Sequence, residues 1–210
     1  MADWPTVASL ATATGTLVLA AATFQSVRSA NRAARAAERS LLAGLRPLLV
    51  ATKLDDQMQK IMWADRHFER LPGGRALVED ADGVVYMAAS VRNAGSGIAV
   101  LDAWHARAGV RPGESDHAPL EEFRRLTRDI FIPSGDDGYW QAAVRNGDDP
   151  WGEDLRRGML DGDGFTVEIL YGDHQGGQRT VVRFAFTPIP DGGFLCTPSR
   201  YWSLDLPDPR

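Results

Sequence analysis

At 210 residues, 44% hydrophobic and 24% charged, the chain suits one domain of about 150 residues plus an appendage and is too apolar to be wholly disordered. Its single cysteine, Cys196, excludes an internal disulfide and any cysteine-based zinc knuckle. A formal charge of −5 turns the reading away from nucleic acid as a partner.

That charge is unevenly divided. Residues 1–46 carry Arg28, Arg32, Arg35, Arg39 and Arg46 against Asp3 and Glu38, a net of +3, which leaves −8 for the rest. Ahead of the arginines, no side chain from Trp4 to Val27 ionises. A helix of about 20 apolar residues crosses the bilayer hydrocarbon, so residues 4–27 read as a span partnered by lipid. Its threonines are tolerable there because a hydroxyl can bond back to the preceding turn. A cleaved signal peptide would start with positive charge, and here only Asp3 precedes the apolar run. The arginines follow the span, so the positive-inside rule puts the C-terminal side in the cytoplasm, where a lone reduced Cys196 also belongs. Arg28, Arg32, Arg35 and Arg39 recur every three or four residues, which makes one cationic stripe beside the headgroups or a solvated stop-transfer face. Small residues four apart, such as Ala11 and Gly15, allow a homo-oligomer through the membrane helix. Gly44 and Pro47 end the helix, which closes an anchor unit at residues 1–45.

Beyond Pro47 the apolar runs are short and separated by Gly, Asp and Pro, the pattern of strands and turns. Strands are predicted at 48–54, 59–68, 84–91, 98–110, 129–132, 139–144, 165–171, 180–186 and 194–204, with short helices at 120–126 and 150–160. Phe165, Val167, Ile169 and Tyr171 alternate with other residues as on a half-buried strand, and YGDHQGGQ after them is a hairpin tip. Seven to nine strands without a βαβ rhythm predict that residues 46–210 form a mainly β, antiparallel immunoglobulin-like β-sandwich.

The segment VRNAGSGIAVLDAW at 91–104 is similar to an N-x-G-x-G-x-A turn of bacterial proteins that couple one N-terminal membrane helix to an immunoglobulin-like sandwich. RDIFIPSGDDGYW at 128–140 and LYGDHQGGQRT at 170–180 resemble further parts of that family. The resemblance implies architecture and no catalytic residues, since no activity is established for that family.

The search for chemistry is mostly negative. GxxxxGK[ST], GxGxxG and HExxH are absent, AGSGI at 94–98 lacks the outer glycines of a nucleophile elbow, and no cofactor is implied. His67, His105, His117 and His174 are too scattered to give metal-ligand spacing, so no metal site is expected. Asp136 and Asp137 are read as turn formers in preference to calcium ligands. Asp173 and His174 pair a carboxylate with an imidazole on the hairpin tip and are the candidates for acid–base catalysis, against a solvated polar turn. Gln175, Arg179 and Trp151 are candidates for an interaction surface, whereas Trp63 and Trp104 are expected in the core. The expected function is a membrane-anchored cytoplasmic, non-enzymatic module that binds a protein partner. The alternatives are a membrane-bound hydrolase using Asp173 and His174, and an effector acting through the N-terminal helix.

Overall fold

In the computed structural model, which describes residues 3–111, 113–145 and 152–205, the N-terminal span is a single helix, α1 (Trp4–Gly44). The chain divides into two compact units, Met1–Gly44 and Leu45–Arg210. Within α1, the segment Ala8–Glu38 is long and apolar enough to cross a membrane, and none of its apolar window is buried. Trp4, Leu10, Leu17, Leu19 and Phe24 are all exposed along it. The threonine hydroxyls are satisfied inside the helix: Thr12, Thr14, Thr16 and Thr23 each donate to the carbonyl four residues back, at 2.8–2.9 Å. This is the arrangement a polar residue needs where no water can serve it. Arg28, Arg32 and Arg35 lie exposed in the C-terminal part of that segment, after the uncharged run 4–27, and the Arg39 side chain is outside the described residues.

The second unit is mainly antiparallel β. Its elements are β1 (Leu49–Ala51), β2 (Gln59–Met62), β3 (Phe68–Leu71), β4 (Arg75–Ala81), β5 (Val84–Asn93), β6 (Ala99–Ala108), β7 (Arg124–Ile132), β8 (Asp137–Arg145), α2 (Gly152–Leu160), β9 (Phe165–Gly172), β10 (Thr180–Pro188) and β11 (Phe194–Ser203). Nine strands form one sheet in the order β1-β5-β4-β11-β10-β9-β6-β7, with β8 paired along β5. The sheet curls into a half-barrel. Trp140, Phe165, Phe184, Phe186, Tyr171 and Met87 are fully buried in the main core, with Leu155 of α2 among them. Each such side chain contributes roughly 1.5–3 kcal/mol by leaving water.

Hairpin β2–β3 stands apart as a two-stranded sheet, and it buries Ile61, Trp63 and Leu71 against Tyr86 and Ala88 of β5. On other strands Ala103, Leu170, Val181 and Trp202 make a third cluster with Phe123. The central strands are therefore covered on both faces. That is why all eight residues of β9 are buried, where alternation predicts one wet face.

Four further expectations are corrected. The single strand predicted at 59–68 is instead two strands, because Trp63 and Arg66 close a turn in which Arg66 takes φ 71°. Strand β4 lies where none is predicted, its Glu79 and Asp80 having masked the pattern. The helix predicted at 120–126 is one 3-10 turn, Leu120–Glu122, because Arg124 already pairs with Trp104 in the sheet. The strand predicted at 129–132 is the end of the nine-residue β7.

The N-x-G-x-G turn has a structural role. Asn93 is fully buried; its Nδ2 donates to the carbonyls of Gly97 (2.6 Å) and Ile132 (2.9 Å), and its Oδ1 accepts the N–H groups of Leu48 and Gly95. The two glycines let the chain at 45–48 pass against the turn. A Cβ on Gly95 would lie 2.3 Å from the Arg46 carbonyl oxygen, and one on Gly97 1.8 Å from that of Leu45. The motif therefore straps the first residues of the β unit to β5.

Candidate functional site

A groove of about 680 Å³ opens between β3 and β4. Leu71, Leu77 and Phe194 give it an apolar lining, while Glu69, Glu79 and an Arg75–Asp191 ion pair (3.1 Å) make the rest polar. The strand edge beside it is open. β4 pairs with β5 over Ala76–Ala81, but on its other side only Arg75 and Ala76 have ladder partners (in β11) among the described residues. Backbone groups of β4 beyond Ala76 are thus left without a strand on that side, and such an edge is a template for an added strand.

Three side chains converge beside this groove, two of them, Glu69 and Glu79, lining it. His67 precedes β3, Glu69 lies on it, and Glu79 comes from β4, opposite Tyr86 in register. One ligand atom from each lies within 4.8 Å of the others, and His67 Nε2 is 3.2 Å from Glu79 Oε2. The imidazole is held in place, stacked on the Tyr86 ring with centroids 4.0 Å apart at 11°. Asp65 fixes both partners: Oδ1 accepts the His67 backbone N–H, and Oδ2 accepts the Tyr86 hydroxyl (2.7 Å) and Arg145 (2.9 Å). The Tyr86 hydrogen bond holds the Asp65 carboxyl below its ordinary value, and burial pushes the Tyr86 hydroxyl up to about 12.

The histidines do not cluster with one another; His67 instead meets two glutamates, a grouping that the scattered histidine spacing did not suggest. The available signal was His67-Phe68-Glu69, since residues two apart on a strand share a face. Glu79 comes from a strand that was not predicted.

A second charged cluster is structural. Glu168 on β9 and Arg183 on β10 are both buried, with Nη2 and Nε of Arg183 at 2.5 and 2.8 Å from Glu168 Oε1. Arg183 also donates to the carbonyls of Glu114 (3.1 Å) and Asp116 (2.6 Å), and Glu168 Oε2 accepts the Ala118 N–H (2.8 Å). The pair thereby pins the loop between β6 and β7, and Trp202 lies under the guanidinium at 4.8 Å. Beside them, burial lowers the His105 pKa although Glu168 and Glu122 oppose it.

The remaining candidates are dispersed. Asp173 is buried and turned into its own hairpin, where Oδ1 accepts the N–H groups of Gln175 and Gly177 and Oδ2 accepts Gln178 Nε2. His174 and Gln175 are exposed. Arg179 is engaged by Asp205, at 2.7 Å from Nη2. Trp151 lies outside the described residues; Trp63 and Trp104 are in the core. Asp137 pairs with Arg92, and the Asp136 carbonyl accepts the Asn93 N–H, both serving the turn.

Comparison with protein-family models, curated proteins and solved structures finds no match.

Proposed function

We propose that the protein is a membrane-anchored interaction module, held by α1 at the cytoplasmic face, that takes up an extended segment of a partner protein along the open edge of β4. The observation that carries this reading is that edge, lying beside an apolar-lined groove and unpaired beyond Ala76. Such binding uses main-chain hydrogen bonds for affinity and alternate side-chain pockets for specificity. Leu54, Leu77 and Phe194 supply the apolar pockets. The exposed apolar turns of α1 with Arg28, Arg32 and Arg35 behind them support the anchor and its orientation. The immunoglobulin-like reading of the β unit belongs to the same proposal, supported by its antiparallel strands and two-face burial. The inward-bonded Asp173 favours binding over hydrolysis at the 173–179 hairpin.

Site-specific photocrosslinking in intact cells tests it. A photoreactive residue at Leu54 or Asp191, which line the groove, should give one adduct of common mass, while Asp102, exposed on β6, should give none. Adducts from Asp102 alone, or from no position, would contradict the reading.

A further inference from the structure

The His67, Glu69 and Glu79 cluster joins two parts of the β unit that share no ladder. His67 and Glu69 belong to the β2–β3 hairpin, a separate two-stranded sheet, whereas Glu79 is in the main sheet. We propose that these three side chains bind a single first-row divalent cation, zinc foremost, which clips the hairpin to β4 and keeps a coordination position open to the groove.

The geometry is close to what such an ion needs. A tetrahedral zinc ion about 2.0–2.2 Å from each ligand sets neighbouring ligand atoms roughly 3.4 Å apart. His67 Nε2 and Glu79 Oε2 already stand at 3.2 Å, and all three ligand atoms fall within 4.8 Å. The third ligand atom, from Glu69, stands within 4.8 Å of both and has at most about 1.4 Å to close. One imidazole with two carboxylates selects zinc, manganese or cobalt over calcium and magnesium, which prefer all-oxygen shells.

An independent feature is the support behind the histidine. Tyr86 stacks on the ring, and Asp65 bonds both the Tyr86 hydroxyl and the His67 backbone. Ligand orientation by such surrounding contacts is what distinguishes a preorganised site from a chance cluster. Glu69 and Glu79 also line the groove, so the fourth ligand is water or a group arriving through it. This inference stands apart from the proposed partner binding; a domain that binds no partner can still hold the ion.

The test is zinc chloride titration of the full-length, chelator-treated protein in detergent, followed by calorimetry, with cobalt(II) as a spectroscopic probe. The expected result is one saturable site, with d–d bands of a four-coordinate cobalt ion. Glu69→Gln and Glu79→Gln keep size and polarity and should weaken binding by about 100-fold or more, since loss of an outer-shell partner alone costs 10–100-fold. Asp161→Asn, an exposed carboxylate away from the cluster, should bind as the parent does. Absence of saturable binding by the parent protein, or equal binding by the Gln variants, overturns the proposal. Since both Gln variants can be checked for an unchanged near-UV spectrum before titration, misfolding does not blur the outcome.

Discussion

Asn93 reaches across to Leu48: its Oδ1 accepts the Leu48 backbone N–H at 3.1 Å while its Nδ2 is spent on the Gly97 and Ile132 carbonyls. One buried amide therefore fills its hydrogen-bonding capacity and fixes where the β unit begins. Asn93→Ala strands these buried backbone groups at about 1–3 kcal/mol each, so a loss of roughly 3 kcal/mol or more is expected. Gly97→Ala meets the Leu45 carbonyl and should cost about 1–3 kcal/mol. Urea unfolding followed by tryptophan fluorescence should show a lower midpoint at constant slope for both; unchanged midpoints would mean that the strap carries no load.

The Glu168–Arg183 pair makes a prediction with two arms. Removing one partner leaves a buried charge alone, so Arg183→Met should destabilise by about 3–5 kcal/mol. Replacing both with apolar residues should recover part of that loss. Recovery stays incomplete here because Arg183 also holds the Glu114 and Asp116 carbonyls. Limited proteolysis should accordingly cut the double variant between β6 and β7 and spare the parent protein.

Cys196 is buried on β11, and desolvation pushes its thiol well above the ordinary range. The thiolate is the reactive form, so the native protein should resist alkylating reagents and label fully only in denaturant. Rapid native labelling would show that β11 opens.

Tyr86 and Asp65 set opposite pH limits. The Tyr86 hydroxyl sits at about 12 in the folded protein, against about 10 when unfolded. A raised value means stability fully present below about pH 10 and lost as the pH climbs toward 12. The Asp65 carboxyl is lowered, so its contribution is present above about pH 3.9 and lost as acid titrates the folded form. Tyr86→Phe should flatten the alkaline flank of the stability profile and reduce the acid one. An unaltered profile would show that the hydroxyl–carboxylate bond does not form in solution.

What the sequence made legible follows from locality. α1 was read from an uninterrupted uncharged run and a Gly–Pro stop, and the β9–β10 hairpin from alternation around a glycine-rich tip. These are short-range signals. The turn at 63–66 has no Gly, Pro or Asn, and Arg66 takes a left-handed φ, so the β2–β3 hairpin was hidden within one strand. Continuity of the curled sheet depends on β4 meeting β11 at only two residues, more than a hundred positions apart, which no local period reports. The candidate site suffered most: Glu79 meets His67 only after β4 is placed, and Glu168 meets Arg183 only after β9 and β10 pair.

The claim on which the functional account rests is that α1 holds the β unit at the cytoplasmic face of a membrane. Its most direct test fuses to Arg210, in turn, a reporter active only in the cytoplasm and one active only outside it, with alkaline extraction of the membranes alongside. The account predicts a cytoplasmic signal that stays with the extracted membranes and is released when residues 4–27 are deleted. An external signal, or release of the intact protein by alkali, would contradict it.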